Sequence, residues 1–283
     1  MQCTQMSDTN GALNTGTLEE KASWIRRETL KIHARAGGTR LASSLSPVEI
    51  CTALYYGWDL RFKPEEPLWE ERDRIIFSKG HGTICMYPVF ADLGFFNLSE
   101  LENVCRSGSF LGSIPDPIIP GYETVNGSLG HGPGVGAGMA LALRLKKSLS
   151  RVAVLCGEGE LFEGSVWEAF MFAAHHRLGN LTVILDYNKI SMLGYTEKIV
   201  TLEPLPQKLE SFGWEVHTVP DGHNISDLIS VLNKIPRNTS GKPLFIIAHT
   251  VKGKGVDSLE RNPLCHVATV SPEEIEKLLG EKI

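Results

Sequence analysis

Apolar positions along the chain follow first a helical rhythm and later an alternating one. Leu18, Ala22, Ile25, Thr29, Ile32 and Ala36 fall at three- and four-residue steps, one face of a helix. A capping box of Thr17 and Glu20 opens it, and Gly37-Gly38 closes it. Ser46-Pro47-Val48-Glu49 predicts a second capping box, with proline at the first helical position and a helix through Tyr56. Residues 73–77 read as a short buried strand, and 78–82 as the polar turn after it. Ser99 predicts a cap for a helix over 100–106. Residues 107–127 are rich in Gly, Pro and Ser and predict a loop, of a length that is usually functional.

From Gly132 onward strands and helices alternate. A small-residue helix over 136–147 leads to a strand over 152–156, then a helix over 165–177 and a strand over 181–186. A helix over 205–212, a strand over 215–219, a helix over 225–234 and a strand over 244–248 follow, and Ser271 caps a last helix. This alternation predicts an α/β fold, a mainly parallel central sheet with helices on both faces. No internal repeat or composition break divides it. Residues 1–16 read as a polar, mobile tail without the apolar core of a signal peptide, and 17–283 as one domain.

Composition narrows the function. The 283 residues are 42% hydrophobic and 22% charged, ordinary globular usage. A net charge of −5, from 33 acids against 28 bases, argues against a broad nucleic-acid-binding face. No apolar run approaches the roughly 18 residues a membrane span needs. Cys3, Cys51, Cys85, Cys105, Cys156 and Cys265 include no CxxC pair, which predicts buried free thiols in a reducing cytoplasm.

The segment Val152-Ala-Val-Leu-Cys-Gly157-Glu158-Gly159-Glu160-Leu-Phe-Glu163-Gly164 reads as strand, glycine turn and helix. Such a turn lies at the carboxyl edge of a parallel sheet, where glycine N–H groups and a helix N-terminus favour an anion. Taken alone, it is equally a tight turn with exposed acids. The next strand ends in Asp186-Tyr187-Asn188-Lys189-Ile190. If the two strands are neighbours, Glu158 and Asn188 emerge together. A carboxylate, an amide oxygen and nearby carbonyls suit a hard cation such as Mg²⁺ beside a diphosphate.

The longer run resolves that choice. Gly157-Glu158-Gly159-Glu160 with Glu163-Gly164, Trp167-Glu168-Ala169, Ala173-Ala174-His175-His176, Asn180-Leu181 and Asp186-Tyr187-Asn188 resembles the thiamine diphosphate motif of transketolases. Ser78-Lys79-Gly80-His81-Gly82, Gly127-Ser128-Leu129-Gly130-His131-Gly132, Phe212-Gly213-Trp214, Asp221-Gly222-His223 and Thr250-Val251-Lys252-Gly253-Lys254-Gly255 with His266 are similar to further motifs of that family. The similarity runs from about residue 20 to 280.

The resemblance implies a thiamine diphosphate-binding fold. It makes Glu158, Asn188 and the Ile190 carbonyl the expected ligands of Mg²⁺, or of Ca²⁺ or Mn²⁺. His81, His266, Gly157, Gly159 and Asn188 are expected around the diphosphate, and Gly127 and Leu129 on the aminopyrimidine side. His81 and His266 are the expected catalytic histidines. Glu163 resembles a glutamate that links paired active sites. His175, His176 and His223 are expected to be structural, or to stand behind the residues that touch the ligand. The resemblance covers only the first domain of a full transketolase and not the one supplying the activating glutamate. It therefore implies a C-terminal subunit on a separate chain, assembly as a homodimer or α₂β₂, weak cofactor binding by the lone chain, and ketol transfer between sugars.

Three departures stand out. Glu158 replaces the family's usual aspartate. Arg40 stands where the family has a sugar-facing histidine, and Gly112-Ser113-Ile114-Pro115 lacks another, so Arg40 and Ser113 become candidate substrate residues. A fixed cation suits a carboxylate or phosphate. Two other functions fit the same residues: a thiamine-dependent synthase with a 2-oxo acid donor, and a non-catalytic cofactor-binding chain.

Overall fold

The computed structural model describes residues 14–235, 237, 241–260 and 262–280. The first 13 residues of the expected tail, and Cys3, lie outside the described residues. Residues 15 and 16 belong to the first helix, α1 (Thr15–Ala36). Its cap is Asn14, whose side chain accepts the Thr17 N–H at 3.0 Å, so the chain enters the helix earlier than a Thr17 cap predicts. Gly37 closes it at φ 61°, as expected.

Two short helices follow, α2 (Leu41–Leu45) and α3 (Val48–Thr52), the latter continued by a π turn over Ala53–Gly57. The capping box expected there does not form. The Ser46 hydroxyl donates to Asp186 Oδ2 at 2.6 Å, and Glu49 pairs with Arg26 and His223. Both side chains instead satisfy buried charged groups, which are costly to leave without partners. Strand β1 (Arg74–Phe77) and helix α4 (Met86–Leu93) come next. The helix expected over 100–106 is a 3₁₀ turn over Leu98–Glu102, capped by Asn97 rather than Ser99.

Helix α5 (Gly132–Leu145) starts four residues before its expected position, directly behind the glycine loop. The rest alternates as predicted. Strand β2 (Val152–Gly157) leads through a 3₁₀ turn, Glu158–Phe162, to α6 (Gly164–His175) and β3 (Leu181–Tyr187). Then come α7 (Thr196–Ile199), α8 (Leu205–Ser211), β4 (Glu215–Val219) and α9 (Ile225–Leu232). Strand β5 (Leu244–His249), α10 (Asp257–Glu260) and α11 (Pro272–Gly280) complete the described elements, and Ser271 caps α11 through the Glu274 N–H at 3.2 Å.

All strand pairs among the described residues are parallel, in the order β1-β2-β3-β5-β4. Alternate residues separate two cores, the usual consequence of covering a parallel sheet on both faces. Ala153, Leu155, Ile184 and Ile246 pack with α1, α3, α4 and α9. Val154, Cys156, Val183, Leu185 and Phe245 pack with α5, α6 and α8. No described helix is long and apolar enough to cross a membrane. Cys51, Cys85, Cys156 and Cys265 are buried free thiols, but Cys105 is exposed, at the rim of a Gly-rich loop that offers it no core.

Helix α5 shows how tightly the layers meet. A Cβ at Gly136 would lie 2.5 Å from Val154 Cγ2, whereas one at Gly138 meets nothing within 4 Å. Gly136→Val is expected to destabilise the fold by about 1–3 kcal/mol. Gly138→Ala, which only raises helix propensity, is expected to stabilise it by roughly 0.5–1 kcal/mol. Urea denaturation of the two variants separates packing from propensity.

Candidate active site

Strand order places the carboxyl ends of β1, β2, β3 and β5 side by side, and the loops leaving them form one cavity. Because Gly157 of β2 is level with Asp186 of β3, the residues that follow, Glu158 and Asn188, reach the same cavity. It measures about 190 Å³, and its polar lining includes Arg40, His81, Glu158, Asn188, Lys252 and His266. Ser43, Lys79, Leu129, Gly157, Gly159 and Ile190 are also in its walls.

Below its floor lies Asp186, fully buried. It pairs with the Lys79 ammonium and accepts the hydroxyls of Ser46 and Thr250. Burial pushes its carboxyl up, but Lys79 and these hydroxyls outweigh burial and leave it below the usual carboxylate range. Beside it, buried Glu160 accepts the backbone N–H groups of Gly157 (2.9 Å) and Gly130 (3.1 Å) and the Ser78 hydroxyl. The two carboxylates thus fix the loops after β1, β2, β3 and β5 and the glycine loop before α5.

The expected metal ligands converge. Glu158 Oε2 accepts the Lys189 N–H at 2.6 Å, while Glu158 Oε1 is buried without any hydrogen-bond partner. Asn188 Oδ1 accepts the Ile190 N–H at 3.2 Å. The Ile190 carbonyl accepts the Lys252 ammonium at 2.7 Å and keeps a second lone pair. Among the described residues no three His, Cys, Asp or Glu side chains cluster as a metal site, so any cation here would rest on mixed carboxylate, amide and carbonyl oxygens. An orphaned carboxylate oxygen beside such donors fits a hard divalent cation. Burial pushes the Glu158 carboxyl up to about 7, the condition a neighbouring cation would reverse.

The other groups are cationic or neutral donors. Burial pushes Lys252 down to about 8. The rings of His81 and His266 lie 6.4 Å apart, and Ser43 Oγ sits 3.1 Å from His266 Nδ1. Burial, then Lys252, Arg40, His81 and Lys79, push His266 down to about 4; burial and Arg40 also lower His81. Both imidazoles are therefore neutral near pH 7 and can orient an anionic ligand by hydrogen bonds. The Arg40 guanidinium has no hydrogen-bond or ion-pair partner among the described residues and faces this cavity.

The structure does not bring every expected residue here. Gly127 abuts Gly80 one layer behind the lining, exposed Ser113 lies outside it, and Glu163 is exposed at the start of α6. Conversely, Lys79, Lys252, Asp186 and Ser43 carry no role that sequence reasoning assigns. A signal exists for one of them: Asp186 lies near the end of a largely apolar strand, and a buried carboxylate must be paired or hydrogen-bonded.

Lys79→Met would strand that carboxylate. Removing one partner of a buried pair is expected to cost about 3–5 kcal/mol, read as a loss of unfolding free energy by chemical denaturation.

The family model described as the thiamine diphosphate binding domain of transketolase matches residues 19–281. A 6-deoxy-6-sulfo-D-fructose transketolase subunit from Clostridium sp. (strain MSTE9) is 37% identical over 265 residues, 93% of this chain and 95% of that protein. One of the apulose-4-phosphate transketolase subunits of Actinobacillus succinogenes is 38% identical over 271 residues, 95% of this chain and 97% of that protein. The solved transketolase from Campylobacter jejuni superposes with a TM-score of 0.86 at 28% identity, over 95% of this chain and 43% of that one. The Leishmania mexicana transketolase gives 0.85 at 28%, over 94% and 41%. The chain thus spans about two fifths of these solved chains and nearly all of the two subunits. It belongs to the transketolase family, whose thiamine diphosphate binding domain it matches over nearly its whole length.

Proposed function

We propose that this chain holds thiamine diphosphate through a divalent metal, Mg²⁺ in the first instance. With a separate C-terminal subunit it transfers a two-carbon ketol unit from a ketose to an aldehyde acceptor. The carrying observation is the orphaned Glu158 Oε1, buried in the same cavity as Asn188 and the Ile190 carbonyl. These oxygens would hold the metal. Lys252, His81, His266 and the Gly159 N–H would face the diphosphate, and Leu129 the aminopyrimidine side. When bound, the cofactor supplies the carbon that accepts the two-carbon unit. The chain's own residues bind, orient and exclude water. Neutral His81 and His266 donate hydrogen bonds without fixing a charge near the reacting atoms.

The substrate is expected to be an atypical anionic sugar. Arg40 supports this: its unpaired guanidinium enters the cavity beside His81 and His266. Relatives named for sulfofructose and apulose phosphate point the same way. The assembly is proposed as a homodimer of this chain or as α₂β₂ with the partner subunit, in the cytoplasm. Exposed Met171 and Phe172 on α6, and Met192, Leu193 and Tyr195 beside the cleft, offer apolar surface for those contacts.

A donor screen on the reconstituted complex tests the reaction: turnover with phosphorylated or sulfonated ketoses supports it. Turnover of 2-oxo acids alone, with CO₂ released, would replace it by the synthase. Arg40→Ala is expected to raise KM for the anionic substrate about 10- to 100-fold, the range of a charge-assisted hydrogen bond, with kcat little changed. Unchanged kinetics would remove Arg40 from the site.

A further inference from the structure

The Asp221-Gly222-His223 turn after β4 lies outside the cofactor cavity, yet it grips the loop that enters it. The Val251 N–H donates to His223 Nε2 at 2.8 Å. Nε2 is therefore the bare nitrogen, and the proton must sit on Nδ1. Nδ1 in turn donates to Glu49 Oε2 at 2.8 Å. The other Glu49 oxygen takes the Arg26 guanidinium, which also donates to the carbonyls of Lys254 (2.6 Å) and Leu45 (3.0 Å). Burial raises the Glu49 carboxyl, but the hydrogen bond from His223 and the Arg26 charge outweigh it and leave it below the usual range. A charged Glu49 fixes the Nδ1–H form of the ring.

The loop is thus held at both ends. His223 holds Val251 and Arg26 holds Lys254, while Lys252 between them reaches the Ile190 carbonyl at 2.7 Å. The turn and the loop also interlock sterically. A Cβ at Gly222 would lie 2.7 Å from Thr250 Cγ2 and 2.9 Å from the His249 carbonyl, and the Gly222 N–H donates to that carbonyl at 2.6 Å.

We propose that His223 is a positioning residue. Its Nδ1–H imidazole, oriented by Glu49 and Arg26, clamps the Val251 N–H and so aims Lys252 at the Ile190 carbonyl and the cofactor cavity. The relay joins α1, α3, the turn after β4 and the loop after β5. This rests on the proposed cofactor site, but the clamp itself is testable without cofactor.

The test compares wild type, His223→Ala and His223→Gln as full-length chains. Gln keeps an acceptor for Val251 and a donor for Glu49. Hydrogen exchange at the Val251 amide is expected to speed about tenfold in His223→Ala and to stay near wild type in His223→Gln. Calorimetric affinity for thiamine diphosphate with Mg²⁺ is expected to fall about 10- to 100-fold in His223→Ala, the usual cost of losing an outer orienting partner, and to be rescued by Gln. Unchanged exchange in His223→Ala, or a His223→Gln as impaired as His223→Ala, overturns the proposal. So does accelerated exchange with unchanged affinity. If His223→Ala does not fold, ¹⁵N NMR of the wild-type imidazole decides: an Nδ1–H ring supports the clamp and an Nε2–H ring refutes it. If wild type binds no thiamine diphosphate even when mixed with a C-terminal transketolase subunit, the functional reading fails, while the exchange and tautomer results still decide whether the clamp exists.

Discussion

The buried Asp186 carboxylate is the interaction on which the geometry of the site depends. A full negative charge at the end of β3, shielded from solvent, is costly unless paired and hydrogen-bonded. Lys79 from the loop after β1, Ser46 from the joint between α2 and α3, and Thr250 from the loop after β5 all meet it. Moving Lys79 leaves the charge unpaired, and moving Ser46 or Thr250 removes one of its buried hydrogen bonds. Four segments are thereby locked to one point beneath the cavity. Glu160 plays the same part for the glycine turn and the segment before α5.

Above this rigid floor the cavity carries groups that remain underused. Glu158 Oε1 has no partner, burial pushes Lys252 down to about 8, and His81 and His266 are held neutral by burial and by neighbouring cations. An anionic ligand with a divalent metal would relieve each of these at once: the metal would satisfy Glu158, and the anion would accept hydrogen bonds from Lys252 and the two imidazoles. The extra methylene of Glu158, relative to the family's aspartate, is accommodated because the Lys189 N–H takes its second oxygen.

Much of this fold is legible in the sequence because it is written in local rules. Apolar runs at 152–156, 181–186 and 244–248 leave little choice but buried parallel strands, and the glycine turn between β2 and α6 marks the carboxyl edge. The adjacency of Glu158 and Asn188 follows from that edge. What local rules miss is long-range satisfaction. Ser46 and Glu49 match a capping box, yet buried partners in Asp186, Arg26 and His223 outcompete a helix N-terminus. Lys79 and Lys252 lie in motifs the sequence displays, but their roles depend on which carboxylate and which carbonyl face them. The partners of His223 are beyond local rules for the same reason: they are 28 and 174 residues away in sequence.

The central claim is that this cavity binds thiamine diphosphate through Glu158, Asn188 and the Ile190 carbonyl. The most direct measurement is calorimetric titration of thiamine diphosphate into the chain with and without Mg²⁺, alone and mixed with a C-terminal transketolase subunit, using wild type and Glu158→Ala. The account predicts Mg²⁺-dependent binding that is weak for the lone chain, tight in the mixture and lost in Glu158→Ala. Binding that ignores Mg²⁺ or survives the loss of Glu158, or no binding in any mixture, would contradict it.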